Sequence, residues 1–252
     1  MTMSSRVLTT LGVVLCALGV TVAAAAAPVT AGTTAQAYPQ QSQPPVEGEV
    51  DIDPSDLPGD GSESNPYEIS NVSELQAMED DLDANYELVS DIDASQTAQF
   101  NDGAGFDPIG SGNTSFFSGS FDGTNHTITG LTIDRPTEST AGVIGVLANE
   151  GTIQNVTLTE MNVTGANVVG GLVGTNIGNI TDATASGNVS GSVRVGGLVG
   201  TNGGGRLRTT RASGSVTGTN GVGGLVGENF GGEIRNATAS GSVTGNREVG
   251  GL

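Results

Sequence analysis

The chain has 252 residues and a formal net charge of −19, with 27 acidic residues against eight basic ones, every one an arginine; 41 residues are glycine and 4% are aromatic. Charge of this sign argues against nucleic acid or an anionic membrane surface as partner. A single cysteine, Cys16, and a single histidine, His126, leave no disulfide framework, no thiolate zinc site and no pair of histidine ligands.

In chain order, Arg6 precedes an apolar stretch over residues 7–27 and then small and polar residues, the pattern of a secretory signal peptide. Ala35-Gln36-Ala37 supplies a cleavage site, so residues 1–37 read as signal, and cleavage removes Cys16 and leaves no transmembrane span. An uncleaved anchor is the alternative, because about 20 apolar residues cross a bilayer. Residues 38–64, rich in Gln, Pro, Ser and acids, read as a disordered acidic linker. Its Asp51, Asp53, Asp56 and Asp60 lack the spacing of a calcium loop.

Residues 65–139 read as a β-rich cap. Ser73-Glu74-Leu75-Gln76 has capping-box spacing, and Leu75, Met78 and Leu82 form one apolar stripe, which predicts a helix over 73–83. A strand follows over 86–92, a loop over 106–112, and a hairpin pairing 117–121 with 126–133 through Asp122-Gly123.

Residues 140–252 repeat. Gly142-Val143-Ile144-Gly145 is followed by Gly171-Leu172-Val173-Gly174, Gly197-Leu198-Val199-Gly200, Gly224-Leu225-Val226-Gly227 and finally Gly251-Leu252, at steps of 29, 26, 27 and 27 residues. Asn149, Asn176, Asn202 and Asn229 each stand two residues before a glycine and read as turn residues with positive φ. Each repeat then reads as strand, turn, strand, turn, strand. In the middle strand Ala237, Ala239, Gly241 and Val243 alternate with Thr238, Ser240, Ser242 and Thr244, and Val156 and Leu158 replace the two alanines in the first copy. One such coil has too little apolar area to fold alone, but parallel coils about 4.8 Å apart bury like on like. The inward face of residues 195–200 stays open, since both alternating sets are apolar or Gly.

These copies, over residues 140–252, resemble the GLUG motif. The repeat-defining residues are Gly171, Leu172, Gly174, Asn176, Gly197, Leu198, Gly200, Asn202, Gly224, Leu225, Gly227 and Asn229. The resemblance implies a secreted or surface-anchored protein whose repeats form a β-helical stalk; some such proteins are parts of bacterial peptidases that cleave immunoglobulin A. Asn65-Pro66-Tyr67-Glu68-Ile69, Leu75-Gln76-Ala77, residues 88–93, Pro108-Ile109-Gly110 and Phe121-Asp122-Gly123 are similar to the segment that precedes such repeats and closes the open end of the solenoid. The fold expected is all-β, a right-handed parallel β-helix or solenoid of about 27-residue repeats, with an N-terminal β-rich cap holding one short helix. Handedness here follows β-helix precedent.

Residues 47–138 hold 21 acids and one Arg, whereas residues 141–252 hold six acids and six Arg. High acidity with no lysine is similar to the composition of haloarchaeal proteins, whose surface repulsion molar salt screens. Arg206, Arg208 and Arg211 depart from the repeat, and the expectation is a solvated edge in which Glu233, one coil later, pairs with them. Neither a His-Glu-x-x-His pair nor a phosphate-binding Gly-Lys-Ser/Thr occurs, and the glycine strings are turns. No catalytic residue, cofactor or metal site is expected. Eight Asn-x-Ser/Thr sequons, at Asn71, Asn113, Asn125, Asn155, Asn162, Asn179, Asn188 and Asn236, are possible N-glycosylation sites.

The expectation is an exported structural or adhesion-type repeat protein without catalytic activity, secreted or at the cell surface, whose partners are cell-envelope components, glycans or other surface proteins. The alternatives are a carbohydrate-active β-helix enzyme and the non-catalytic stalk of a larger surface peptidase. Because the chain stops within a repeat, a continuation beyond Leu252 is expected.

Overall fold

The computed structural model describes residues 52–112 and 114–252. The signal over 1–37, the linker up to residue 51 and the sequon at Asn113 lie outside the described residues.

One coil holds four short strands, not the three expected. In the second repeat they are Val168–Gly170, Val173–Asn176, Asn179–Thr181 and Thr184–Ser190. Each pairs in parallel with its counterpart in the next coil, Val173 on Val199, Asn179 on Arg206, Thr184 on Arg211. The result is a parallel β-solenoid bounded by four sheets of seven, seven, five and four strands. We call the seven-stranded sheet that contains Asn179–Thr181 the first sheet and the one that contains Thr184–Ser190 the second. Inside, Phe121, Ile153, Ile180 and Leu207 stack in one column, while Ala185 on Ala212 and Val189 on Val216 stack in others. All of these are 5% exposed or less. Stacking identical small apolar groups at strand spacing removes them from water at every rung, which no isolated coil achieves.

The question of which face of residues 195–200 points inward is resolved by a bend. Val193–Gly196 ends one strand and Val199–Asn202 begins the next, so Leu198 and Val199 lie on either side of a corner and both are fully buried. A Cβ on Gly196 would lie 2.0 Å from Val199 O, so only glycine permits so tight a corner. The longer first step has two locations. Leu147 pairs with Asn176 while Thr152 pairs with Asn179, so two of the three residues by which the first step exceeds the second sit at the corner before Thr152, and the third is a bulge between Leu158 and Met161.

A second corner takes left-handed backbone. Asn155, Asp182, Thr209 and Asn236, equivalent in successive coils, have φ of 54, 51, 53 and 52°. Asn and Asp tolerate this region, whereas a β-branched residue does so only under strain. Thr209→Asn is therefore expected to raise stability by about 1 kcal/mol, read as an upward shift of the melting temperature of roughly 2–4 °C.

The N-terminal region departs from expectation in four places. No hairpin joins 117–121 to 126–133: Ser120–Asp122 pairs in parallel with Asn85–Leu88 and Thr152–Gln154, and Thr127–Thr129 pairs in parallel with Ile92–Asp93 and Thr157–Thr164. The cap is thus made of further, irregular coils of the same stack, with Tyr67, Tyr86 and Phe121 filling the space that Ile and Leu fill later. The strand over 86–92 is two strands, broken after Leu88. The helix is shorter than 73–83, an α-turn over Val72–Ala77 continuing as 3-10 over Met78–Asp80. Its cap is Asn71, whose Oδ1 accepts from the Ser73 and Glu74 amides, while Glu74 reaches back to the Ser70 amide at 2.7 Å.

The fourth departure concerns residues 52–64, which are ordered. Asp53 caps a 3-10 turn over Pro54–Asp56, and Leu57 is buried in the core. The Glu68 amide donates to Pro58 O and the Asn85 amide to Gly61 O, so this segment satisfies donors at the edge of the first sheet. A bare edge would template pairing with another chain. Two buried side chains, Pro54 and Leu57, anchor the segment, and composition alone does not register them.

Candidate functional site

Among the described residues the buried polar side chains are Thr97, Asn176, Asn202 and Thr210, and the two asparagines belong to one ladder. Asn176 and Asn202 are fully buried at the inner end of their strands, and neither has positive φ, which corrects their reading as turn residues. Asn176 Nδ2 donates to Asn202 Oδ1 at 2.9 Å, Asn202 Nδ2 to Asn229 Oδ1 at 2.9 Å, and Asn229 Nδ2 to Gly232 O at 3.0 Å. An amide has both a donor and an acceptor, so a column of them propagates one hydrogen bond per rung. The ladder stops at Leu147, in register above Asn176, which leaves Asn176 Oδ1 without a partner. Asn149 is not part of it. The glycines that follow make room: a Cβ on Gly205 or Gly232 would lie 2.3 or 2.0 Å from the amide nitrogen of Asn176 or Asn202.

The outer side of the second sheet is a field of hydroxyls and amides. In-register columns run Asn162, Asn188, Ser215, Ser242 and Thr164, Ser190, Thr217, Thr244, with Thr164 and Ser190 hydroxyls 3.1 Å apart and Ser242 donating to Ser215 at the same distance. The outer side of the first sheet is charged. There Arg206 and Arg208 do point the same way, and Glu233 meets Arg206 at 3.4 Å, Arg208 at 3.8 Å and also Arg235. The expectation of a solvated ion-paired edge holds for these residues. Arg211 stands apart, exposed on the second sheet.

His126 lies beside Asp91 at the surface, 3.3 Å from its carboxylate. The Thr127 amide and then His126 hold the Asp91 carboxyl below the usual range. Burial pushes the Glu79 carboxyl up, against the Gly110 amide that donates to it at 2.6 Å. Asp122 has burial opposing it, but Asn155 Nδ2, the Thr124 amide and Gln154 Nε2 all donate to it and leave its pKa lowered. A carboxyl whose folded pKa is depressed contributes stability above its unfolded pKa and loses it as pH falls through the folded value. Asp122→Asn is thus expected to cost about 1 kcal/mol near neutral pH and to flatten the acid limb of the stability profile, measured by urea unfolding.

A shallow recess at the N-terminal end is lined by Asp53, Pro54, Ser55, Tyr67, Asp80 and Asp81. Among the described residues no group of three or more His, Cys, Asp and Glu converges as a metal site would, and no helix is long and apolar enough to cross a membrane. Of the sequons, Asn125, Asn162, Asn188 and Asn236 are exposed. Asn71 is exposed but engaged as a helix cap, Asn155 is held by Asp122, and Asn179 is half-buried.

Comparison with known proteins bears on the repeats. The family model described as the GLUG motif matches residues 165–190 and 218–244. The chain carries GLUG repeats. Each match contains one hydroxyl-bearing second-sheet strand and the strand that leads into the Gly-Leu-Val-Gly corner. The chain is 42% identical over 134 residues to Halomucin of Haloquadratum walsbyi, covering 51% of this chain and 2% of that protein. It is 36% identical over 132 residues to a protein named as a Gly-rich membrane protein in Evansella cellulosilytica, covering 50% and 15%. The chain therefore spans a small fraction of either relative. Among solved structures, one described as an immunoglobulin A1 protease candidate from Bacteroides ovatus superposes with a TM-score of 0.54 at 22% identity, covering 74% of this chain and 69% of that one. That likeness shows the fold alone.

Proposed function

We propose that this chain is a structural or adhesive stretch of an exported cell-surface repeat protein, without catalytic activity of its own. The observation that carries the reading is the contrast between inside and outside. The interior is filled rung by rung with stacked side chains, while the second sheet presents in-register rows of Ser, Thr and Asn to solvent. Such a surface offers many equivalent weak hydrogen-bonding positions, which suits envelope glycans or neighbouring surface proteins bound by avidity. The names of the two relatives, Halomucin and a Gly-rich membrane protein, support placing it at the cell envelope. Glycans on the exposed sequons, and a high-salt, archaeal setting matched to the lysine-free acidity, belong to the same proposal.

The test is fractionation of native cells together with incubation of the full chain with envelope polysaccharide. Recovery in the envelope or medium, with binding but no shortening of the polymer, is the expected result. Release of new reducing ends would overturn it in favour of a carbohydrate-active enzyme. The likeness to the Bacteroides structure favours one second reading, that of a non-catalytic stalk in a larger surface peptidase. In that case the native polypeptide is much larger and cleaves protein only through a part outside this chain.

A further inference from the structure

Along the outer side of the first sheet one in-register column reads Glu68, Glu87, Asp122, Gln154, Thr181, Arg208, Arg235. Its seven rungs, about 4.8 Å apart, begin with three carboxylates and end with two guanidiniums. At the basic end Arg206, Arg208 and Arg235 share the single carboxylate of Glu233. At the acidic end, among the described residues, no arginine pairs with Glu68 or Glu87, which sit on adjacent rungs. Like charges directly opposite one another in a sheet are destabilising, so each end of the column is stabilised by an opposite charge from outside.

We propose that a second copy of this chain docks on this face, related by a two-fold axis that runs along the strand direction through the Gln154 rung. Such a rotation reverses the stacking order and keeps the column on itself. Glu68 then faces Arg235 of the other copy, Glu87 faces Arg208, Asp122 faces Thr181, and the two Gln154 meet at the centre. A two-fold axis along the stack instead sets acid on acid, so charge selects one arrangement of the two. The neighbouring outward column runs Asn85, Ser120, Thr152, Asn179, Arg206 and Glu233, short over its first four rungs and long only at the basic end, so the two sheets can approach at the centre while the long charged side chains lie toward the ends. A self-complementary patch of this kind is what a closed two-fold dimer requires. The overall charge of −19 opposes association at long range, but at about 0.15 M salt that repulsion is screened beyond roughly 8 Å, whereas contacting pairs are screened less.

Sedimentation equilibrium of the full chain at about 0.15 M salt tests this pairing independently of the cell-surface reading. The expected result is a reversible dimer. Arg208→Glu with Arg235→Glu, and separately Glu68→Arg with Glu87→Arg, should each weaken it at least about tenfold, with circular dichroism confirming that both variants keep their strand signal. All four substitutions together restore opposite charge at every contact and should return the dimer. A wild type that stays monomeric, a dimer indifferent to either reversal, or a fourfold variant that fails to recover would each overturn the proposal. So would uptake of calcium by Glu68 and Glu87 that stabilises a monomer.

Discussion

Asn202→Ala is expected to destabilise the chain by about 3 kcal/mol, because it leaves one buried group unsatisfied at about 1–3 kcal/mol and adds a cavity. Asn202 occupies the middle of the interior ladder, accepting from Asn176 and donating to Asn229, and it is fully buried. Its removal strands the buried Asn176 amide nitrogen, while the exposed Asn229 can turn its amide oxygen to water. Thermal unfolding should show a midpoint lower by roughly 10 °C. Asn176→Leu provides the contrast. Asn176 ends the ladder, its Oδ1 already lacks a partner, and Leu147 stands directly above it in register. Leu147 packs over Gly151 and Gly178, much as Asn176 packs over Gly205, so a leucine column fits the same space. That substitution loses one hydrogen bond and exchanges one orphaned acceptor, Asn176 Oδ1, for another, Asn202 Oδ1, while adding apolar contact with Leu147, and should cost about 1 kcal/mol. Equal costs for the two variants would mean that the ladder is filler and not a connected network.

The ladder is also where sequence and structure part most instructively. The period, the glycine positions and the small-residue alternation of Ala237, Ala239, Gly241 and Val243 are legible because each coil places equivalent residues in identical surroundings. Asn two residues before Gly, by contrast, reads equally as a turn asparagine and as an interior amide beside a turn: Gly204 and Gly231 do turn with positive φ, but the glycines that make room for the amides are the next ones, Gly205 and Gly232. Only the presence of a neighbouring coil distinguishes them, and that is not local information. The hairpin expected at Asp122-Gly123 fails for the same reason. Ser120–Asp122 and Thr127–Thr129 have hairpin-like spacing, but each finds a parallel partner a whole coil away. The ordered segment at Leu57 shows a further limit: two buried side chains in an acidic stretch decide its structure while leaving its composition that of a linker. On the outer faces, Glu233 beside Arg206 was legible because the repeat length sets the register, whereas the charge gradient from Glu68 to Arg235 needed the irregular coils to be aligned first.

Gly197→Ala is expected to cost about 3 kcal/mol or more, as overpacking against a surface that cannot yield. The reason is not conformational freedom, since Gly197 lies outside the positive-φ region. A Cβ there would stand 2.3 Å from the carbonyl oxygen of Gly224 in the next coil and 3.0 Å from the Ala212 Cβ. The obstacle is backbone, fixed in place because the Leu198 and Val199 amides both donate to Leu225 O at 2.9 and 3.0 Å. Relief requires opening those bonds, so hydrogen exchange should lose protection at Leu198 and Val199 before it is lost at Ile180 or Val163. Two other alanine variants separate the causes. Gly203→Ala in the same coil meets only Asn176 O at 3.8 Å and Ile177 Cγ1 at 3.9 Å, without positive φ, and should change stability by less than about 0.5 kcal/mol. Gly251 occupies the same motif position as Gly197 but has nothing within 4 Å, so Gly251→Ala should also be silent in this chain. If Gly251→Ala were as costly as Gly197→Ala, the motif glycine would be required by the bend within its own coil. If it is silent, the glycine is required by the coil that stacks on it, and the spacing between coils sets the motif.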